Sequence, residues 1–513
     1  MTVIRLLCSS LHFLRQIRIE LFAIALLGLT TLSSGMTQAP LVNWDEATYA
    51  EVAHEAVNSH NYLHLTWNGD PYLKKPPLLF WMLIGSFKTF GESAWAARLP
   101  SVAAGVGTLV LLYLSAAGVV GRLGGIVAGL LPLGFYFFIA RGGRECATDG
   151  LLVFFSTVAI FALTRARANR RWLTLTGVAT GLAILSKGLA GVLPLGVMAL
   201  SVLIVPGFGE VGIGGLLAVI ALTCAVIAPW LIYEFFNNGS IFWEVFVKQE
   251  TLFRVVSHLE VQHQAAAATL PTFIREVRYL WVMALPLAGM VAAALKRGLR
   301  PTLRQLPPAV LVWLLWLALG LAAACAVQTK LGWYVLPALV PAALLCGAIL
   351  GGAFQYDALG HGLTPALGAL ALVILGLEMP SHWHQIDRAF RIERERSRPS
   401  YVLGMRARAL GAIDGDKELF FVGVELPTMV YYSRMRAHFL SLAAADFPDL
   451  AYHQVVLREP DGAFATVGNF DDEWNASGPP EERTVTEGAG AMCFAAGVSS
   501  PSRRLRWNLL ADR

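Results

Sequence analysis

Charge and cysteine are what this sequence has little of. Only 15% of its 513 residues are Asp, Glu, Lys or Arg, against 56% hydrophobic, and the net charge is +5. A soluble domain carries about 25% charged residues, so a water-soluble globular protein is excluded. The few Arg and Lys residues are grouped between apolar runs, which excludes a nucleic-acid surface and suits topology signals. Six cysteines, Cys8, Cys146, Cys224, Cys325, Cys346 and Cys493, lie mostly in or beside apolar segments and show neither a disulfide framework nor zinc spacing. What the chain does have is long apolar runs, with a mean hydropathy of +0.57. That combination makes it a polytopic α-helical membrane protein.

Arg5, Arg15 and Arg18 precede an apolar run from Ile19 to about Gly35. A signal peptide has a similar layout, but this run is long and reads as a retained first span that starts inside. Residues 36–99 then form an outer loop, in which Pro77 to Phe90 is too short to cross at about 1.5 Å per residue and reads as a helix lying in the interface. Spans follow at about Ala96–Val119, Leu123–Ala140, Ala147–Leu163, Leu173–Leu185, Leu189–Val205 and Gly212–Tyr233, and after a second outer loop, residues 234–271, at about Phe273–Leu295, Leu306–Val327, Trp333–Gly352 and Leu363–Leu377. RARANRRW and KRGLRPTLR fall on the inside, where positive loops belong. About eleven spans result, up to thirteen with the ambiguous short runs, and residues 1–379 form the membrane domain.

From Pro380 the composition turns polar, and residues 380–513 read as a soluble α/β domain outside the membrane. Its first part has a helical pattern; ELFFVGV, AHFLSL, AYHQVVLRE and GAMCFAAGV read as strands and LPTMVYYSR as a helix. It has no glycine-rich phosphate loop, so its expected part is to cover the outer face of the bundle or shape an acceptor site.

Chemistry is expected where polar residues gather at the outer ends of spans. NWDEATYAE places Asp45 and Glu46 after an apolar segment, and acids there do not anchor a helix. The same loop continues NGDPYLKKPPLLFW, which adds Tyr72, Lys74 and Lys75. Arg141, Arg144, Glu145 and Asp149, then Lys187, then Gln249, Glu250, Arg254, His258 and His263, and finally Lys330 and Tyr334 fall on that same side. Taken singly, a span-end Lys such as Lys187 reads equally as a snorkelling anchor. Taken together, they point to one site that handles a phosphate-linked substrate.

DEATYAE, NGDPYLKKPPLLFW, ARGGRECATDG, GLAILSKGLAG, APWLIYEFF and KLGWYVLPALVP occur in that order from about Leu41 to Gly352. This series resembles the bacterial relatives of protein O-mannosyltransferases, in particular the 4-amino-4-deoxy-L-arabinose transferases that modify lipid A. The resemblance implies a GT-C membrane glycosyltransferase that moves a sugar from a polyprenyl-phosphate donor to a lipid or glycan acceptor on the periplasmic side of a bacterial inner membrane. It implies Asp45, Glu46 and Asp149 as catalytic carboxylates, Lys75 and Arg254 as ligands of the carrier phosphate, and Lys330 and Tyr334 as the KxxxY element beside the same cavity. Tyr72 and Lys74 flank the KP lysine and join the phosphate-binding set. The chain departs from the arabinose transferases at Lys74, where they carry an acid, and at Thr48, where they carry an arginine. A divalent cation between Asp45, Asp149 and His263 is left open, without dense ligand spacing to support it.

Two alternatives stand beside this reading. A protein O-mannosyltransferase would use the same donor chemistry on Ser or Thr. A transporter or lipid-binding protein would also place charges in a bundle, but it predicts repeats and interrupted helices in matched halves, which the sequence does not show.

Overall fold

The structure is a computed structural model that describes residues 2–37, 39–42, 44–253, 306–327, 331–350, 398–410, 418–422, 427–440, 454–458 and 464–469. Helix α1 (Thr2–Ser33) leads into a polar segment carrying α2 (Asp45–Ser59), the short strands β1 (Thr66–Trp67) and β2 (Asp70–Pro71), and α3 (Leu78–Phe90). The two strands close over Asn68 and Gly69, both with positive φ (56° and 83°). An Asn-Gly pair suits this turn because both central residues need left-handed backbone. With 13 residues, α3 is about 20 Å long, too short to cross, as its sequence predicts.

The apolar body consists of α4 (Ala94–Val120), α5 (Arg122–Leu130), α6 (Tyr136–Ile139), α7 (Thr148–Ala166), α8 (Trp172–Lys187), α9 (Leu193–Ile204), α10 (Gly212–Phe242), α11 (Pro308–Ala326) and α12 (Leu336–Leu350). These runs become helices because lipid offers the backbone no hydrogen bonds. Leu203, Ile204, Ile213, Leu217, Phe235 and Phe236 are exposed on α9 and α10, an apolar surface suited to acyl chains. Among the described residues, six helical stretches are long and apolar enough to cross a membrane, or seven if the bent pair Arg122–Gly134 and Tyr136–Arg144 is one crossing. The chain is thus a multi-pass membrane protein.

Several expected boundaries change. Leu123–Ala140 is not a straight span: it bends by 87°, because Pro132 sits in a 3-10 turn and Phe135 is extended (φ −117°, ψ 125°), which interrupts the helical ladder. The second outer loop begins later than residue 234, since α10 continues to Phe242 past a kink at Gly239 (φ 41°) and a wide π-type turn carries the chain on through Phe253. Phe273–Leu295 and Leu363–Leu377 lie outside the described residues. Trp172–Ile204 is one apolar stretch of 33 residues, yet the chain reverses within it. Gly188 takes φ 61°, and a Cβ on Gly191 would lie 2.3 Å from the Ala183 backbone. Arg170 Nη2 reaches Val211 O at 3.4 Å, so the two ends of the stretch meet and α8 and α9 run in opposite directions.

This reversal sorts the charges. Arg165, Arg167, Arg170 and Arg171 gather at one end of the α7–α8 hairpin, while Asp149 and Lys187 lie at the other.

Towards the C-terminus, α13 (398–410) precedes β3 (Glu418–Val422), α14 (Pro427–Ser433), β4 (Ala437–Leu440), β5 (Gln454–Arg458) and β6 (Phe464–Asn469). The sheet order is β4-β3-β5-β6, with β3 and β4 parallel across α14 and the other pairs antiparallel. ELFFVGV, LPTMVYYSR, AHFLSL and AYHQVVLRE supply β3, α14, β4 and β5; GAMCFAAGV lies outside the described residues, and β6 comes from a stretch not read as a strand. Leu403, Leu419, Phe421, Met429 and Val455 form the small core between helices and sheet.

Candidate active site

Asp45 and Glu46 open α2, where unpaired N–H groups and the helix dipole favour carboxylates. Neighbouring helical side chains point about 100° apart, and these two part company. Asp45 accepts hydrogen bonds from Arg141 Nη1 at 2.8 Å and from the Tyr49 hydroxyl, one turn on, at 3.2 Å. Burial pushes the Asp45 carboxyl up, but Arg141, Lys75 and Lys187 together outweigh it and hold the group below the usual carboxylate range. Its side chain remains 45% exposed.

Arg141 belongs to a π-helical turn, Ala140–Arg144. Small residues allow that turn to lie against its neighbours: a Cβ on Gly105 would sit 2.9 Å from Gly143 Cα, and one on Gly150 2.7 Å from Gly142 O. From there Arg141 also pairs with Glu145 at 2.9 Å and stacks 4.4 Å from the Trp333 ring centroid. Beside it, Lys187 bonds to the buried Asp149 and lies 5.3 Å from the Tyr334 ring centroid. Lys75 reaches Glu250 at 2.8 Å. Tyr72 is buried, edge-on to Tyr49 and Phe80.

The fold therefore brings Asp45, Tyr72, Lys75, Asp149 and Tyr334 to one end of the bundle. Two expected residues stand apart from them. Lys74 is exposed, whereas at the same bend Lys75 turns to Glu250. Glu46 is 2% exposed and saturated: Arg98 bonds both its oxygens at 2.9 and 2.6 Å, and the Val42 and Cys146 N–H groups donate to it at 3.0 and 2.8 Å. It supports Asp45 through the backbone and has no free oxygen for a reactant. Arg254, Lys330 and His263 lie outside the described residues. Arg141, Lys187 and Glu250 were visible as span-end charges but carried no role; Tyr49 went unnoticed, although its spacing of four from Asp45 puts both on one helical face.

Among the described residues no three His, Cys, Asp or Glu side chains gather as cation ligands. Asp45 and Asp149 are already matched by Arg141 and Lys187. What this set offers is fixed cations interleaved with carboxylates, an arrangement that holds an anion beside a proton acceptor.

The family model described as dolichyl-phosphate-mannose-protein mannosyltransferase matches residues 74–233. An undecaprenyl phosphate-alpha-4-amino-4-deoxy-L-arabinose arabinosyl transferase of Pseudomonas paraeruginosa is 29% identical over 364 residues, 68% of this chain and 64% of that one. An uncharacterized protein of Aquifex aeolicus is 30% identical over 213 residues, 40% of this chain and 42% of the other. The chain thus aligns with less than two thirds of the length of these relatives. ArnT from Cupriavidus metallidurans, solved bound to undecaprenyl phosphate, superposes with a TM-score of 0.62 at 18% identity, covering 82% of this chain and 86% of that one. The likeness is to GT-C glycosyltransferases of the protein O-mannosyltransferase and aminoarabinose transferase superfamily. Residues 74–233 include Lys75, Arg141, Asp149 and Lys187, while Asp45, Tyr72 and Tyr334 lie outside the family match.

Proposed function

We propose that this protein is a membrane glycosyltransferase that moves a sugar from a polyprenyl-phosphate donor to lipid A or another cell-envelope glycolipid. The observation that carries the reading is the Asp45 carboxylate, kept ionised beside Arg141, Lys75 and Lys187 at one end of an apolar bundle. In this reading the bond between the sugar's anomeric carbon and the phosphate oxygen breaks, and the electron pair stays with the polyprenyl phosphate. Lys75 faces that leaving group, a role assigned also to Arg254 and Lys330 by the family resemblance, and fixed cations in a site of low dielectric stabilise the charge it gains. The acceptor oxygen attacks the anomeric carbon; from a hydroxyl its proton passes to Asp45, whereas a phosphate acceptor needs no base. Asp149 holds Lys187 in place, with Tyr334 beside Lys187 and Tyr72 against Tyr49.

The four arginines at the opposite end support a cytoplasmic position for that end, and with it a site on the periplasmic side of a bacterial inner membrane. In this reading residues 1–379 make up the transferase domain and residues 380–513 a periplasmic domain, of which α14 meets α2. Transfer of radiolabelled sugar from a panel of polyprenyl phosphates, with products separated into lipid and protein fractions, tests the reading. Label in lipid is expected. Label in protein moves the assignment to an O-mannosyltransferase, the reaction described by the matching family model. No transfer from any donor leaves a lipid-binding protein or transporter.

A further inference from the structure

The segment that delivers Asp45 is irregular, and among its described residues six polar backbone groups bond to side chains. Arg98 donates to the carbonyls of Met36, Ala39 and Pro40 at 2.9 to 3.0 Å, and Glu46 accepts from Val42 N–H. Between these contacts lies Leu41, which is completely buried. A buried N–H or C=O left without a partner is costly, and both of Leu41's partners come from the other end of the chain. The Tyr432 hydroxyl accepts from Leu41 N–H at 3.1 Å, and the Thr428 hydroxyl donates to Leu41 C=O at 3.1 Å.

Three residues beyond Leu41, Trp44 takes φ 76° and ψ −115°, a left-sided backbone that a bulky residue adopts only when its surroundings enforce it. Asp45 follows directly. The strained turn is therefore held from one side by Arg98 and Glu46 and from the other by α14. We propose that Thr428 and Tyr432 are positioning residues of the active site, which act through Leu41 to hold the Trp44 turn and so aim Asp45. The inference rests on the reading of Asp45 as the reacting carboxylate. It makes the C-terminal region part of the catalytic apparatus as well as a cover.

The same interface holds a second clasp that does not touch Leu41: the Asn68 side chain pairs with the N–H and C=O of Ala437. Comparing the two clasps separates aiming from docking. Thr428→Val and Tyr432→Phe remove one hydroxyl each; Asn68→Gly severs the other clasp and suits the turn's positive φ. All three are assayed in the full-length protein for kcat per folded enzyme, donor KM, and hydrogen exchange of the amides from Leu41 to Thr48. The expected result is a loss of about tenfold in kcat for Thr428→Val and for Tyr432→Phe, with donor KM held within about twofold, because misaiming a reacting group costs rate more than binding. Exchange at Leu41–Thr48 should quicken in both, and Asn68→Gly should change neither. A fall in kcat for Asn68→Gly as large as for the hydroxyl variants overturns the proposal, as does unchanged exchange in the hydroxyl variants. Quickened exchange with unchanged kcat also overturns it. Should the wild type transfer no sugar at all, the glycosyltransferase reading fails instead, and exchange alone reports whether α14 holds the turn.

Discussion

Asp45 and Glu46 are adjacent in α2 and each bonds an arginine, yet the two ion pairs differ in kind. Glu46 and Arg98 are 3% and 5% exposed in their side chains, and all five guanidinium N–H positions of Arg98 are taken by Glu46 and by backbone carbonyls. Asp45 is 45% exposed, and its arginine is shared with Glu145. A saturated pair is fixed and can only hold structure. A shared, partly open pair can exchange partners when a ligand enters. The lesson is that acid and cation types alone do not mark a reactive site: unused hydrogen-bonding capacity does.

Asp45→Asn tests the comparison most severely. It keeps the size and the bond from Tyr49 but removes the charge and the proton acceptor. Transfer to a hydroxyl acceptor should fall by about 100-fold or more, within the range general-base catalysis supplies, with normal amounts of folded protein in the membrane. Equal transfer by variant and wild type would make the open pair structural too.

Glu46→Ala and Arg98→Ala should do the reverse and remove the fold before the chemistry. Leaving one partner of a buried pair alone costs about 3–5 kcal/mol, which reads as a large drop in melting temperature in detergent and a low yield. The protein that remains should bind polyprenyl phosphate with nearly wild-type affinity. Stable, well-expressed variants would show that the saturated pair is not structural.

The next contrast is between Lys74 and Lys75. Lys75 faces Glu250 within the site, and Lys74 is exposed. Lys75→Ala should raise donor KM by about tenfold, a charge-assisted contact's worth of about 1.4 kcal/mol. Lys74→Ala should stay within about twofold. Equal effects would mean that the phosphate region extends to the outer surface.

The gathering of the site was legible because acids at a membrane edge need a reason and because alternation of spans put Asp45, Lys75, Asp149, Lys187 and Tyr334 on one side. The partition of roles was not. DE reads as a pair, and nothing local says that Arg98, 52 residues later, claims the second member. Nor does the double lysine say which member turns inward, since that depends on the position of Glu250, 175 residues away. The bend at Phe135 escaped hydropathy because an apolar run looks the same whether straight or broken. The wide turn beyond Gly239 was read as loop because its Glu, Lys and Gln residues are polar, whereas the structure winds them in a π-type turn against Lys75.

The mildest expected effect concerns Glu51, on the side of α2 that meets the C-terminal region. It is 5% exposed, with Arg434 at 4.0 Å. Burial raises its carboxyl to about 8 from an ordinary 4.5; Arg434 opposes the rise, and Glu55 and Glu92 add to it. Between those two pH values the folded protein keeps a proton that the unfolded chain has released, so stability falls as pH climbs through the window, by at most about 1.4 kcal/mol per pH unit. Glutamine mimics the protonated acid at every pH. Glu51→Gln should therefore flatten the decline in melting temperature from about pH 5 to about pH 8 and leave transfer at the low end of the range unchanged. An equally steep decline in the variant would place the titrating group elsewhere. A flat profile in the wild type would mean that Arg434 already holds Glu51 ionised, which would turn this face of α2 into a second saturated pair like that of Glu46.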